Sequence, residues 1–280
     1  MNEIACQFKC QDQELIAICH PAHKDTGILI VTGGPQYRIG SHRQFVIIAR
    51  TLAENGFPVF RFDYRDMGDS ETIDNQSEES QSINFEHIST DIELAINEFS
   101  KQQTHLKKII LLGLCDGASA ILIALSKNLT SNIKLAISGL ILINPWVYQE
   151  NTTAKTYLKY YYFKRLAESD FWFRLFKFKI NVVHTFKSII SKYKMAFLNH
   201  SNNRHASYID NMLVGLLNFK GKVLTLLSED DLTAQEFALL LKEHKTWAKQ
   251  FELSGNKIVK IADADHTFST KKDREKVIHV

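Results

Sequence analysis

Apolar residues follow two rhythms along this chain. The first is the unbroken run. Gly27–Thr32 (GILIVT), Pro58–Tyr64, Lys108–Leu114, Gly139–Asn144, Val223–Leu227 and Lys257–Ile261 each read as a strand. Gly27–Thr32, rich in branched residues, lacks polar alternation, which marks a strand covered on both faces, and Pro58–Tyr64 also reads as buried. The second rhythm is helical. Over Phe85–Phe99 the residues Ile88, Ile92, Leu94, Ala95 and Phe99 fall on one side. Ser41 is the expected cap of an amphipathic helix to Glu54 that Gly56 ends. Asp116–Leu125 reads as a small-residue helix, and Thr233–Phe251 as one helix before the last strand. Ile4–His20 has the alternation of a hairpin turning at Gln11-Asp12-Gln13.

Strands and helices alternate over 27–146 and again from 222 onward. That order predicts an α/β fold: a mostly parallel central sheet, helices on both faces, and an antiparallel hairpin at one edge. The rhythm fails between Trp146 and Phe219, a stretch rich in aromatic and basic residues. The expected organisation is a core of 1–146 and 220–280, with 147–219 a helical cap inserted above the carboxyl ends of the strands. No internal repeat or low-complexity linker interrupts it.

An open parallel sheet places its site at those carboxyl ends, and four signals fall there. "GLCDG" (113–117) follows one strand and opens a helix. Its glycines permit the sharp turn that carries the central side chain out of the backbone path, and a helix N-terminus favours a thiolate at Cys115. His266 follows the last strand in "ADADHTFS", and Asp230 and Asp231 follow the strand before it. A thiol that attacks a carbonyl needs a base to take and return its proton, and an acid to orient that base. The chain order nucleophile, acid, histidine suits Cys115, Asp231 and His266; Asp231, at the turn into a helix, is preferred to Asp230. Gly33-Gly34-Pro35 follows the first central strand. Proline lacks an N–H, so the expected oxyanion donors are the backbone N–H groups of Gly34, with Gln36 possible, and of Asp116.

These stretches resemble the α/β-hydrolase superfamily, and more narrowly the hydrolases encoded beside exosortase A systems in polysaccharide-producing bacteria. The matching segments are "GGPQYRIGSHRQF" (33–45), "FDYRDMGDS" (62–70), "GLCDGASA" (113–120), "SEDDLTAQEF" (228–237) and "ADHTFS" (264–269). The resemblance implies an α/β-hydrolase fold with a Cys-type nucleophile, as dienelactone hydrolases have. The broad pattern carries Gly where this chain has Asp66, which implies a strained turn there. The implied activity is hydrolysis of an ester or thioester through an acyl-Cys115 intermediate. Acyl transfer on the same triad is the variant, and a non-catalytic binding or assembly role on the retained frame is the alternative class.

Several residues have plainer roles beside their chemical ones. Gln36, Arg38, His42 and Trp146 are candidates for substrate contact. Arg38 and Arg43 suit an anionic group but equally a solvated helix. Asp63 is expected to tie loops beneath the site, and Ser70 to cap a helix. Cys6, Cys10 and Cys19 read as small buried hydrophobes.

Composition narrows the setting. The chain of 280 residues has four cysteines without disulfide or zinc spacing, so reduced thiols in a cytoplasm are expected. The N-terminus lacks a basic region followed by an apolar stretch, and no apolar run reaches the roughly 20 residues of a membrane span. Net charge is only +3, yet Lys155–Lys194 carries ten Lys or Arg against Glu168 and Asp170. A lid with inward aromatics accounts for that segment. A peripheral contact with anionic lipid is the sharper alternative, which would suit a lipid-linked acyl substrate as well as a small one. Nucleic acid is not an expected partner, and the chemistry requires no metal or organic cofactor.

Overall fold

The computed structural model describes residues 2–33, 36–72, 85–127, 129, 133–147, 203–253 and 255–280. Eight strands form one sheet: β1 (Ile4–Cys10), β2 (Gln13–His20), β3 (Thr26–Val31), β4 (Val59–Phe62), β5 (Lys108–Leu114), β6 (Ala136–Ile143), β7 (Lys222–Ser228) and β8 (Lys257–Ile261). Their order is β1-β2-β4-β3-β5-β6-β7-β8. The hairpin β1–β2 is antiparallel and joins β4 antiparallel; from β4 to β8 every pair is parallel.

Strands β3 and β4 and most of β5 and β7 are buried on both faces, whereas the edge strand β8 is buried only at Ile261. In β3, Leu29 and Val31 join one core cluster while Ile28 and Ile30 join the other. The larger cluster holds residues of α2 (Phe85–Gln102), α3 (Asp116–Ser126), α4 (Asn203–Asn218), α5 (Leu232–Glu243) and α6 (Lys245–Phe251). The smaller holds Phe45, Ile48 and Ala49 of α1 (Gln44–Glu54), with Ile278 of α7 (Lys271–His279) packed against it. Two faces covered by helices are what a parallel sheet requires.

Three local expectations are corrected, and one helix was not expected. Ser41 does not cap α1. A three-residue 3₁₀ turn, Ser41–Arg43, precedes it, with His42 and Arg43 at φ 53 and 60. No side chain caps α1, because this left-handed approach places Arg43, not Ser41, at the cap position. Ser70 is likewise no helix cap: its Oγ donates to the Asp63 carbonyl at 2.6 Å and accepts the Ile16 N–H at 2.9 Å, stitching the loop to the hairpin. The helix expected over Thr233–Phe251 is two, because His244 takes an extended φ/ψ of −116/99 between α5 and α6. The C-terminal helix α7 escaped the sequence reading, since its apolar positions are few; Thr270 caps it by accepting the Asp273 N–H.

Of the expected cap, 148–202, including the basic stretch Lys155–Lys194, lie outside the described residues. Its last part, Asn203–Asn218, is α4. This helix packs along α3, with Ile209, Met212 and Leu216 buried in the larger cluster. It therefore joins the core through α3.

Candidate active site

The turn from β5 into α3 carries Cys115 at φ 57, ψ −124, a backbone that residues with a Cβ seldom adopt. Two glycines make room for it. A Cβ on Gly113 would lie 2.6 Å from the Ala118 nitrogen, and one on Gly117 2.5 Å from the carbonyl oxygens of Val31 and Thr32. Beta-strand and helix thus meet at atomic contact, and Cys115 stands at the α3 N-cap, half-buried. Its main chain is held on both sides: Cys115 N–H donates to Ile143 O at 2.9 Å, and Trp146 N–H donates to Cys115 O at 3.2 Å.

His266 comes to this thiol from the loop after β8. The Cys115 side chain lies near enough to the imidazole to help raise its pKa, and the ring Nδ1 donates to Asp231 Oδ2 at 2.8 Å. The Nδ1 contact leaves Nε2 for the sulfur. Burial works against the charged ring, but the bond to Asp231, the nearby Cys115 and their negative charge outweigh it and raise the pKa to about 10. These contacts favour the charged ring. Asp231 is itself the N-cap of α5, accepting the N–H groups of Thr233 and Ala234. Asp230 is exposed, and its N–H is tied to Ala264 O at 3.0 Å; the bond to the histidine belongs to Asp231.

The other three cysteines contrast with Cys115. Cys6, Cys10 and Cys19 are buried, and burial pushes Cys10 and Cys19 up to about 12. A thiol so buried is inert as a nucleophile.

Of the oxyanion candidates, Gly34 lies outside the described residues. Asp116 is the first residue of α3, where the N–H points out of the helix end; its carboxylate is buried and accepts the Gly117 N–H at 3.1 Å.

The substrate-contact candidates separate. Arg38 is committed elsewhere: Nη1 pairs with the fully buried Asp63, and Nη2 reaches Asp69 at 2.5 Å. Its own N–H also donates to Asp63 at 2.5 Å, so Asp63 ties loops as the sequence implied. Gln36 is likewise engaged, its Oε1 accepting Ser41 N–H and Gln44 Nε2–H. His42 and Arg43 are exposed on the 3₁₀ turn. Asp66 sits at φ 65, the left-handed conformation for which glycine is favoured, as its place in the "FDYRDMGDS" segment implied. Trp146 remains beside Cys115, stacked on Tyr208 at 5.4 Å and tilted against Phe85 at 6.3 Å.

Sequence reasoning passed over Asn144, which is fully buried and bonded to both Ser228 and the His266 carbonyl. The available signal was a polar residue at the carboxyl end of an apolar strand.

Among the described residues, no group of three or more His, Cys, Asp or Glu is placed to hold a metal. No helix among them is long and apolar enough to cross a membrane.

The profile of the alpha/beta hydrolase fold family matches residues 27–252, and the chain belongs to that family. Solved structures agree in fold at low identity. The chain is 14% identical to the Pyrococcus furiosus esterase Pf2001, with a TM-score of 0.61, covering 99% of this chain and 87% of that one. A putative hydrolase from Agrobacterium vitis is similar at 14% identity and TM-score 0.59, over 99% and 96%. Est1E from Butyrivibrio proteoclasticus, solved with ferulic acid bound, is 16% identical with a TM-score of 0.59, over 98% and 95%. No curated protein matched in the sequence comparison.

Proposed function

We propose that this protein hydrolyses carboxylic esters or thioesters through an acyl-Cys115 intermediate. The observation that carries the reading is the chain of contacts Cys115–His266–Asp231 at the strained head of α3. The Cys115 thiolate attacks the acyl carbonyl, and its electron pair forms the C–S bond. Charge gathers on the carbonyl oxygen, which the backbone N–H groups of Gly34 and Asp116 are proposed to receive. The intermediate collapses, the C–O or C–S bond to the leaving group breaks, and the His266 imidazolium protonates the departing alkoxide or thiolate. Neutral His266 then takes a proton from water, hydroxide equivalent attacks the thioester, and Cys115 leaves as thiolate beside the restored imidazolium. Asp231 keeps the ring oriented and favours its charged form. Net, ester or thioester and water give acid and alcohol or thiol, without a cofactor.

An acyl-thioester intermediate also passes its acyl group to an acceptor other than water, so transfer is the variant on this site. The resemblance to exosortase-associated hydrolases supports a place beside a polysaccharide or protein-sorting system in the cytoplasm. The acyl substrate there is small or lipid-linked. The esterases of similar fold lend support to ester substrates.

The test uses p-nitrophenyl butyrate and a butyryl thioester. Cys115→Ala is expected to lower hydrolysis by about 10³-fold or more, and His266→Ala by about 10²- to 10⁴-fold. Acid-quenched wild type carries a butyryl mass on the Cys115 peptide. Full hydrolysis by Cys115→Ala, or iodoacetamide labelling of Cys115 indifferent to His266→Ala, sinks the reading.

A further inference from the structure

Asn144 ends the strand next to the nucleophile's, immediately before Pro145. It is fully buried and holds φ 45, in the left-handed region. Every polar atom of its side chain is engaged. Oδ1 accepts the Ser228 N–H at 2.8 Å, and Nδ2 donates to Ser228 Oγ at 3.0 Å and to the His266 carbonyl at 3.2 Å. Its main-chain N–H donates to Leu226 O at 2.9 Å.

The residues around it grip the other partner. Ile143 O accepts the Cys115 N–H, and Trp146 N–H donates to Cys115 O. The four-residue turn Ile143–Trp146 therefore holds the nucleophile's backbone at both its polar groups, while Asn144 holds the backbone of His266. Ser228, its third partner, ends β7 three residues before Asp231. The turn thus holds the backbone of two members of the candidate triad and meets the strand that leads to the third.

We propose that Asn144 is a positioning residue that sets His266 against Cys115, acting through the His266 carbonyl. The inference rests on the Cys115–His266 reading above. A residue that only joined β6 to β7 would need the Ser228 contacts and the Leu226 bond, not the bond to His266.

Two variants separate these roles. Asn144→Asp keeps tolerance of the left-handed backbone and the acceptor for Ser228 N–H, and removes both Nδ2 donations. Asn144→Gly suits φ 45 and removes the whole side chain. Ser228→Ala takes away the Oγ partner and leaves the His266 bond. The readouts are the rate of Cys115 labelling by iodoacetamide at pH 7 and the NMR titration of the His266 ring. In folded Asn144 variants, labelling is expected to slow about tenfold, toward the His266→Ala rate, with the imidazole titrating lower than in wild type. Ser228→Ala is expected to leave both unchanged. Folded Asn144 variants with wild-type labelling and wild-type titration overturn the proposal. Wild type alone supplies a second measurement if neither variant folds: the Asn144 side-chain amide signal should move as His266 titrates, and a stationary signal overturns the proposal equally. If His266→Ala leaves Cys115 labelling unchanged, the underlying Cys–His reading fails instead.

Discussion

Asp231 Oδ2 accepts both the His266 Nδ1–H, at 2.8 Å, and the Ala234 N–H, at 3.1 Å. One carboxylate oxygen thus joins the imidazole to the first turn of α5. The two roles come apart on substitution. Asn at 231 still caps a helix but carries no charge for the imidazolium, so Asp231→Asn is expected to keep the cap and to lose the stabilisation tied to the charged ring. Ester hydrolysis should fall about 10²-fold or more. Asp231→Ala should add a loss of about 1 kcal/mol from the missing cap. Urea unfolding beside hydrolysis rates checks both, with Asp230→Asn as the comparison. An Asp230→Asn defect as large as that of Asp231→Asn would refute the assignment.

The same contact writes itself into the stability curve. His266 titrates at about 10 in the folded protein, where burial is outweighed by Asp231 and Cys115, against an ordinary 6.5. Between these values the folded state keeps a proton that the unfolded chain has lost. The associated stabilisation is therefore complete below pH 6.5 and drains away as pH rises toward 10. Urea midpoints of wild type should decline over pH 7 to 10, and those of His266→Gln should decline less. Parallel curves for the two proteins would deny the coupling.

His20 predicts the opposite slope at the acid end. It is fully buried, and its Nε2 accepts Arg61 Nε–H at 3.0 Å, so the ring is neutral with its proton on Nδ1. Burial foremost, then the charge of Arg61, lowers its pKa to about 4, with Glu3 opposing. Here the unfolded chain binds the extra proton between pH 6.5 and 4, so stability falls as pH drops through that window. His20→Gln retains an acceptor for Arg61 and cannot titrate. Its urea midpoint should change less than that of wild type between pH 6.5 and 4.5. Equal change in both would assign the acid sensitivity elsewhere.

How much of this was legible in the sequence follows from which forces are local. The strands of the parallel core were legible because burial on both faces forces an apolar run, as in Leu29–Val31 and Leu111–Leu114. Cys115, Asp231 and His266 were legible because the parallel sheet fixes where strand ends gather, and Asp231 doubles as a helix cap with its own local pattern. What was hidden depends on contacts distant in sequence. Arg38 stayed open between an anion ligand and a solvated helix charge, because nothing local reveals that Asp63 and Asp69, 25 and 31 residues on, pair with its guanidinium. Asn144 was hidden for the same reason, its partners lying 84 and 122 residues away. The break at His244 has no glycine or proline to announce it.

Arg38 gives the last prediction, since a structural role and a substrate-binding role differ in what they lose. Its guanidinium spans two carboxylates: Asp63, with no exposed side-chain surface, and Asp69, 62% exposed. The exposed pair contributes little, whereas the buried one leaves an unpaired carboxylate if broken. Arg61 Nη1 also donates to the Arg38 carbonyl at 2.9 Å, so the loop is held from below. A lysine ammonium cannot reproduce the planar fork, and Arg38→Lys should cost about 1–3 kcal/mol. Arg38→Ala should cost about 3–5 kcal/mol, because Asp63 then stays buried without its cation. For the fraction that remains folded, the KM for neutral and for anionic esters should rise by the same small factor in Arg38→Lys. Stability unchanged, with KM raised for anionic esters alone, would return Arg38 to the substrate site.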